Sequence, residues 1–320
     1  MNVPALIKPP ALRPGVTLAV VSPASTPKPE LVRQGIERLE ALGYCAALAS
    51  HALDRGPLYY AGTIEQRLRD LQDAFADPAI DGILCTRGGW GSAELLPYLD
   101  VELIRTHPKP FIGYSDHTSL HCWLRQQANL VTFYGPMGAA DFGRGDRVED
   151  GVDLASWNHA LGGSDSWSLG AAEGLRVLRG GVAEGVLDGG CLSIYAEAIG
   201  TPFAPRPVQG VLFLEDIGVK PFQWDRLLLH LRYAGLLEGV QGIVFGDMRQ
   251  CVGPEEQDLL EAAILHSLRD FAGPIAMGLP SGHVGGPNVT LPLGVRVRLD
   301  LADPGEPRLS FLESAVTVGA

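Results

Sequence analysis

The chain has 320 residues, of which 46% are hydrophobic and 19% are charged, so it has enough apolar surface for a packed core and is not a disordered protein. Its 37 aspartates and glutamates outnumber its 25 lysines and arginines, which gives a net charge of −12. This balance excludes the basic surface that binding to a nucleic acid or to an anionic membrane requires.

The N-terminal segment and the cysteines favour a reducing compartment. MNVPALIKPPALRPG has neither the continuous apolar stretch nor the cleavage pattern of a signal peptide, and the chain contains no run of 18 uncharged apolar residues. The five cysteines are scattered and form no C-x-x-C pair, so the sequence predicts neither a disulfide framework nor a zinc knuckle. We expect a soluble, cytoplasmic protein that uses no metal or other cofactor.

In residues 16–136, apolar strands alternate with amphipathic helices about four times. The strand-like runs are TLAVVSPAS, CAALAS, GILCTRGG, PFIGYSD and VTFYGP, and the helical ones are PELVRQGIERLEALG, TIEQRLRDLQDAFADP, SAELLPYL and HTSLHCWLRQQA. Continuous apolar strands joined by helices predict a doubly wound parallel sheet, whose ligands bind beyond the carboxyl ends of the strands. We place this N-terminal α/β domain at residues 1–145.

The pattern changes after this domain. Residues 146–180 are rich in Gly, Asp and Ser, contain isolated tryptophans and show no period, so they are predicted to be a linker. Residues 181–320 begin with the glycine-rich stretch GGVAEGVLDGGCLSIYAEAIG and combine the strands VLFLED and GIVFGD with the helices QWDRLLLHLRYAGLL and PEEQDLLEAAILHSLRDF. The short runs VTLPLG, VRVRLD, RLSFLE and AVTVG follow. The second half is therefore predicted to be a C-terminal α+β domain with several late β-strands.

Ser115 lies where the strand PFIGYSD turns into the helix HTSLHCWLRQQA. That position is typical of a nucleophile elbow, in which a tight turn presents a hydroxyl beside the free N–H groups of a helix N-terminus. Serine is also a preferred N-cap, so Ser115 taken alone favours a structural role. Because His117 stands where G-x-S-x-G has its second glycine, the turn need not be that of an α/β-hydrolase.

His117 and His121 share one helix face, which is the spacing of some helical metal sites. The segment HTSLH lacks the glutamate of a helical zinc protease, and no third ligand is evident nearby. We therefore expect no metal here, with one imidazole packed in the core and the other solvated.

A glycine-rich loop, Arg87–Gly91, follows the strand that should neighbour the Ser115 strand. Its glycines allow the backbone to approach a ligand and offer N–H groups to it, although neither common nucleotide-binding motif is matched. Arg87 has the alternative of a structural ion pair.

Two further positions complete a set of groups for nucleophilic catalysis. Glu215 and Asp216 end the strand VLFLED, where one of them could orient an imidazole or form a turn. His283 lies in the glycine-rich loop LPSGHVGGPNVTLPLG, where a histidine is either bent into a pocket or solvated. Together with Ser115 these residues supply the roles of a serine hydrolase.

The same residues lie within motifs that resemble the LD-carboxypeptidases of serine peptidase family S66, the muramoyltetrapeptide carboxypeptidases. The motifs are CTRGGWG (85–91), KPFIGYSDHTSLH (109–121), FYGPM (133–137), GTPF (200–203), LFLEDIGVKPFQWDRLLLHLRYAG (212–235), GIVFGDM (242–248) and GHVGGPNVTLPLG (282–294). The resemblance implies a triad with Ser115 as nucleophile, Glu215 as orienting acid and His283 as general base.

The resemblance also implies roles for the residues around the nucleophile. The N–H of Asp116 and one from Gly88 or Gly89 would form the oxyanion hole, and Arg87 and Trp90 would help line the substrate cleft. One departure is visible, since the family usually reads Gly-Gly-Asn-Leu where this chain has Cys191 in the third position. Thiol chemistry at Cys191 is not favoured, because no basic neighbour is evident.

The activity that the resemblance implies is removal of the terminal D-alanine from murein tetrapeptides in cell-wall recycling, by a homodimer. One alternative on the same scaffold is a microcin-C-immunity-type hydrolase that cleaves aminoacyl-nucleotide amides, for which Trp90 is a candidate adenine-stacking residue. Another alternative is a non-catalytic binding protein with two α/β lobes, against which the complete triad and the missing secretion signal argue.

Overall fold

Residues 6–206 and 208–318 are described in the computed structural model, and they pack into two compact units. Unit 1 contains the chain up to Ser164, the segment Gly286–Gly294 and the residues from Ser314 onward. Unit 2 contains Asp165–Gly285 and Val295–Glu313. The last part of the chain therefore supplies residues to both units, whereas the sequence predicted one continuous C-terminal domain from residue 181.

The described residues form 14 β-strands and eight α-helices. The strands are β1 (Thr17–Val21), β2 (Cys45–Leu48), β3 (Gly82–Cys85), β4 (Phe111–Gly113), β5 (Thr132–Tyr134), β6 (Trp167–Gly170), β7 (Arg176–Arg179), β8 (Val182–Cys191), β9 (Gly210–Glu215), β10 (Val240–Gly246), β11 (Ile275–Leu279), β12 (Leu291–Leu293), β13 (Arg296–Asp300) and β14 (Arg308–Phe311). The α-helices are α1 (Pro29–Ala41), α2 (Ile64–Ala76), α3 (Val101–Thr106), α4 (Thr118–Gln127), α5 (Leu154–Gly162), α6 (Leu192–Glu197), α7 (Pro221–Tyr233) and α8 (Gln257–Ser267).

The sheet of unit 1 has the order β12-β5-β4-β3-β1-β2. β1 to β5 pair in parallel, which confirms the parallel α/β fold predicted for the N-terminal part, and β12 adds an antiparallel strand beside β5. β3 and β4 are buried at every residue, as strands covered on both faces must be. Because β3 and β4 are neighbours, the loops that leave their carboxyl ends lie side by side.

The sheet of unit 2 has the order β6-β14-β13-β8-β9-β10-β11-β7. β8, β9, β10 and β11 are parallel, while the outer strands pair antiparallel, so this unit mixes the two kinds of pairing as predicted for an α+β domain. In the β8–β9 pair, Cys191 is the register partner of Glu215. Partnered residues on adjacent strands present their side chains to the same face, so these two groups are neighbours.

The predicted linker at 146–180 is not a linker in the structure, because α5, β6 and β7 lie within it. Of its isolated tryptophans, Trp157 is a core residue and Trp167 is half-buried. Trp157 is fully buried and donates from Nε1 to the hydroxyl of Tyr44 at 3.2 Å, and Trp167 stacks on Phe311 with ring centroids 4.1 Å apart. The sequence does not reveal these elements, because a short helix or strand among glycines and aspartates contains too few residues to show a hydrophobic period.

Three of the short runs also differ from the prediction. VTLPLG forms β12 in the sheet of unit 1 rather than in the C-terminal domain, and the described residues of AVTVG, 315–318, form an isolated bridge between Pro10 and Thr317 rather than a strand. SAELLPYL forms a 3₁₀-helix over Ser92–Tyr98, with Pro97 inside it.

None of the helices in the described part of the chain has the length and apolar character that crossing a bilayer requires.

Candidate active site

Ser115 occupies a strained turn between β4 and α4. Its φ angle is 64°, a left-handed value that is rare for a residue other than glycine, and it begins a short 3₁₀ turn over Ser115–His117. Its N–H donates to the hydroxyl of Tyr134 at 3.2 Å. Within the described residues its side chain caps neither the 3₁₀ turn nor α4, so the N-cap role that its position alone favoured is not adopted. Backbone strain of this kind is typical of functional sites.

The glycine loop lies directly against this turn, as the predicted strand order requires. A Cβ built on Gly88 would lie 2.8 Å from Cβ and 3.0 Å from Oγ of Ser115, and 3.4 Å from the backbone nitrogen of Asp116. Only a glycine leaves this space open. Gly89 has a φ of 107°, so glycine is the residue that adopts its conformation without strain.

Replacing Gly88 with alanine should therefore disturb the Ser115 hydroxyl directly. Because the new methyl group overlaps Ser115, we expect kcat to fall by about 100-fold, the effect of a displacement of about 1 Å of a reacting group. Steady-state kinetics of Gly88→Ala measure this. Gly162→Ala is the control, since a Cβ there meets nothing within 4 Å. An unchanged kcat in Gly88→Ala would show that the close approach is irrelevant to the reaction.

The glycine loop and the Ser115 turn, which are in close contact, both carry backbone N–H groups. Among the described residues, none accepts a hydrogen bond from the N–H of Gly88, Gly89 or Asp116. Gly88 and Asp116 are buried, and buried N–H groups are rarely left without a partner. Donors arranged in this way suit an oxyanion that forms next to the serine.

His117 joins the glycine loop to the turn. Its Nε2 donates to the carbonyl of Arg87 at 2.9 Å, and its Nδ1 accepts from the hydroxyl of Ser92 at 2.9 Å. The carboxylate of Asp116 accepts from the N–H of Ser92 at 2.8 Å, so both ends of the loop are held from the 3₁₀ turn. The sequence analysis did not predict this positioning role of His117. The available signal was that His117 lies only two residues after Ser115.

Arg67 of α2 supports the same loop from the other side. Its guanidinium is 2% exposed and donates to the carbonyls of Gly91, at 2.8 Å, and Pro23, at 3.0 Å. It also pairs with Glu94 at 2.6 Å. No sequence signal points to this arginine, because its position on the buried face of α2 is set by packing.

His117 and His121 are both fully buried, so the prediction that one of them is solvated is wrong. Nε2 of His121 donates to the carbonyl of Gly113 at 2.8 Å, which fixes the end of β4 just before the turn. Burial lowers the pKa of both imidazoles, that of His121 to about 3. Each ring therefore stays neutral near pH 7.

The low pKa of His121 makes a testable contribution to stability. The unfolded chain takes up a proton below about pH 6.5 while the folded imidazole stays neutral down to about pH 3, so stability falls as the pH drops through this window. The expected loss is about 1.4 kcal/mol per pH unit. We expect His121→Gln to reduce the change in the free energy of unfolding between pH 7 and pH 4.5 by about 2–3 kcal/mol, measured by urea denaturation. His107→Gln, at an exposed histidine, should leave the change as in the wild type, and equal slopes in all three proteins would contradict the prediction.

Arg87 and Trp90 lie at the exposed side of the loop. The side chain of Arg87 forms no ion pair with any described residue, so its structural alternative is not adopted. Trp90 is 37% exposed, and its backbone N–H donates to Oγ of Ser25 at 3.1 Å. Both side chains are thus accessible to a ligand beside Gly88.

In unit 2, Glu215 and His283 form a close pair. Nδ1 of His283 lies 2.9 and 3.1 Å from the two carboxylate oxygens of Glu215, and the backbone N–H of His283 donates to the same carboxylate at 3.0 Å. Glu215 is 1% exposed, whereas the histidine side chain is 15% exposed. This bond places the proton of a neutral imidazole on Nδ1 and leaves Nε2 as an acceptor.

Two glycines make room for this pair. A Cβ on Gly246 would lie 2.5 Å from Cβ of Glu215, and one on Gly282 would overlap the Glu215 carboxyl group. Gly282 also has a φ of 91°. The glycines on both sides of Glu215 therefore let β10 and the loop after β11 approach the buried carboxylate closely.

Asp216 and Cys191 have different surroundings. The carboxylate of Asp216 accepts from the N–H groups of Ser193 and Ile217, both at 2.8 Å, so it orders the local backbone rather than the imidazole. Burial, together with the negative charges of Asp216 and Glu215, raises the pKa of the Cys191 thiol well above its usual range. A protonated thiol is a poor nucleophile, which agrees with the expectation from sequence.

The residues predicted to act together thus form two clusters. Unit 1 brings Ser115 together with the glycine loop and the N–H of Asp116, and unit 2 brings Glu215 together with His283.

The N-terminal LD-carboxypeptidase domain model matches residues 18–135, and the C-terminal LD-carboxypeptidase domain model matches residues 184–299. A probable murein peptide carboxypeptidase of Bacillus subtilis is 35% identical, with 98% of this chain and 96% of the relative covered. The chain belongs to the LD-carboxypeptidase family.

The chain is also similar to another carboxypeptidase and to a solved structure of an MccF-like protein. The murein tetrapeptide carboxypeptidase of Pseudomonas aeruginosa is 32% identical, with 87% of this chain and 91% of the relative covered. The crystal structure of an MccF-like protein of Bacillus anthracis superposes on this chain with a TM-score of 0.87 and 27% sequence identity. The match covers 96% of this chain and 99% of the MccF-like protein. MccF is a microcin C7 self-immunity protein. The resemblance noted in the sequence is therefore confirmed, and LD-carboxypeptidases are serine-type hydrolases.

Proposed function

We propose that the chain is a serine carboxypeptidase that releases the terminal D-alanine of murein tetrapeptides during peptidoglycan recycling. The observation that carries the proposal is the strained Ser115 turn, which packs against Gly88. The backbone N–H groups of Gly88, Gly89 and Asp116 donate no hydrogen bond to a described residue and are available to an oxyanion. The pair of the buried Glu215 and the half-buried His283 supplies the base that such a serine requires. The names of the relatives in Bacillus subtilis and Pseudomonas aeruginosa support a murein peptide as substrate.

In the proposed reaction, Nε2 of His283 accepts the proton of the Ser115 hydroxyl as the oxygen attacks the scissile carbonyl. The N–H groups of Asp116 and the Gly88–Gly89 segment stabilise the oxyanion. The imidazolium then gives its proton to the leaving amine of D-alanine, and an acyl-enzyme remains. Water, activated by the same imidazole, hydrolyses the acyl-enzyme, while Glu215 stabilises the imidazolium and keeps the proton on Nδ1.

The substrate ends in a carboxylate, which needs a cation or N–H donors in a protein of net charge −12. Arg87 is exposed beside Gly88 and forms no ion pair with the described residues, so its guanidinium is available for that carboxylate. Trp90 offers an apolar surface next to it.

The decisive experiment measures D-alanine release from a purified murein tetrapeptide by the wild-type protein. Cleavage of an aminoacyl sulfamoyl adenylate is measured in parallel, because the exposed Trp90 and the fold shared with an MccF-like protein favour that second activity. We expect turnover of the tetrapeptide. Turnover of the adenylate alone would assign the immunity-type activity instead, and turnover of neither substrate by folded protein would refute both.

A further inference from the structure

Cys191, Glu215 and His283 bring three different metal-binding groups to one point of unit 2. A sulfur, a carboxylate oxygen and an imidazole nitrogen from these residues all lie within 4.8 Å of one another. Cys191 and Glu215 are 3% and 1% exposed. The parallel register of β8 and β9 places the cysteine beside the glutamate, and the loop after β11 adds the histidine.

This donor set is characteristic of zinc. Zn²⁺ binds thiolate, imidazole and carboxylate groups, and a tetrahedral ion holds such donors roughly 3.3–3.8 Å apart, so small side-chain shifts bring all three into range. Sites with three protein ligands keep a fourth position for water. Asp216, which is 3% exposed, adds a second negative charge next to the cluster, and this charge favours a cation there.

We propose that Cys191, Glu215 and His283 form a Zn²⁺ site, and that zinc bound there reversibly inhibits the enzyme. The effect on turnover rests on the proposed function, whereas the binding of the ion does not. The Cys191 thiol completes this set of three ligands. An asparagine at position 191 has no thiolate to offer and does not complete the site.

The binding step is a ligand exchange without oxidation or reduction. The thiol of Cys191 releases its proton to solvent as the sulfur bonds to Zn²⁺. Zinc replaces the hydrogen bond between Glu215 and Nδ1 of His283, which are 2.9 Å apart, and the imidazole proton moves from Nδ1 to Nε2. Nε2 then carries a proton and cannot accept the one from Ser115. Inhibition follows from this change of tautomer.

The binding test uses Co²⁺ in place of Zn²⁺ with the intact protein, because thiolate-bound Co²⁺ has a charge-transfer absorption that needs no turnover to observe. We expect the wild type to show this band at one equivalent of Co²⁺ and to lose it when Zn²⁺ is added. Cys191→Asn should lack the band. Cys45→Ser removes the exposed thiol and should keep it. Cys191→Ser, a change of one atom, repeats the test if asparagine disturbs the packing.

The inhibition test titrates Zn²⁺ into the same proteins, with each rate normalised to that protein's own zinc-free rate. Loss of an outer-shell partner already weakens metal binding by about 10- to 100-fold, so loss of the Cys191 ligand should raise the half-inhibitory zinc concentration by at least about 100-fold. EDTA should restore the wild-type rate. A wild type without the thiolate band, a band that persists in both Cys191 variants, or equal inhibition of all proteins would each overturn the proposal.

Discussion

Replacing Ser115 with alanine should lower kcat for D-alanine release by about 10⁴- to 10⁶-fold, the loss seen when the nucleophile of a serine triad is removed. The reason is that the variant keeps the Glu215–His283 pair and the surrounding N–H groups but has no oxygen to attack the carbonyl. Stability should change by less than about 1 kcal/mol, because the hydroxyl does not cap a helix and alanine meets the same backbone strain at a φ of 64°. Single-turnover kinetics and a thermal melt measure the two effects.

Ser119→Ala provides the matched control, since Ser119 lies one helical turn further along the same segment. We expect this variant to keep kcat within about threefold of the wild type, because Ser119 is half-buried and is given no role in the proposed reaction. A Ser115→Ala protein that retains more than a few per cent of the wild-type rate would show that another group is the nucleophile. A large loss of stability would instead show that the serine mainly supports the turn.

Replacing Glu215 with glutamine should lower kcat by about 10³- to 10⁴-fold, close to the effect of the corresponding change in other serine triads. The carboxylate accepts from both Nδ1 and the backbone N–H of His283, and a glutamine has only one oxygen for these two donors. The imidazolium also loses the negative charge that stabilises it. KM should change much less than kcat, because the side chain is 1% exposed and is not placed to touch substrate.

Asp216→Asn is the matched control, because Asp216 is the adjacent buried carboxylate and its removal eliminates the same charge. Asp216 bonds the N–H groups of Ser193 and Ile217, so this change should lower the melting temperature and reduce kcat by less than about tenfold. The role assigned to Glu215 would be rejected if the two variants lost the same amount of activity, or if Glu215→Gln affected only the melting temperature.

Part of the candidate site could be predicted from local sequence patterns. The strand, turn and helix around Ser115 were readable because a parallel α/β sheet has buried apolar strands and joins them by amphipathic helices. The closeness of Gly88 to Ser115 followed from the pairing of neighbouring strands. The same logic placed Glu215 at the end of a strand, while its bond to His283, 68 residues away in the chain, came from the resemblance to a family.

Other features depended on contacts that no local pattern records. The spacing of His117 and His121 predicted that they share one helix face. The packing of the folded chain buries both of them and lets His117 hold the glycine loop. Arg67 supports that loop from a helix whose sequence looks ordinary. Residues 146–180 looked like a linker because their tryptophans are isolated in sequence, yet Trp157 packs against Tyr44 across more than a hundred residues.

Residue patterns along the chain were therefore enough to predict the parallel α/β class of the first part, the Ser115 turn, the candidate acid and base, and the family. These depend on residue order within single elements or on motifs preserved along the chain. The folded structure was needed to show that β12 joins the sheet of unit 1, that Asp216 bonds backbone N–H groups while Glu215 bonds His283, and that Cys191 lies beside Glu215. Strand register and long-range packing place such groups, and both arise from burying apolar surface over the whole fold rather than from neighbouring residues.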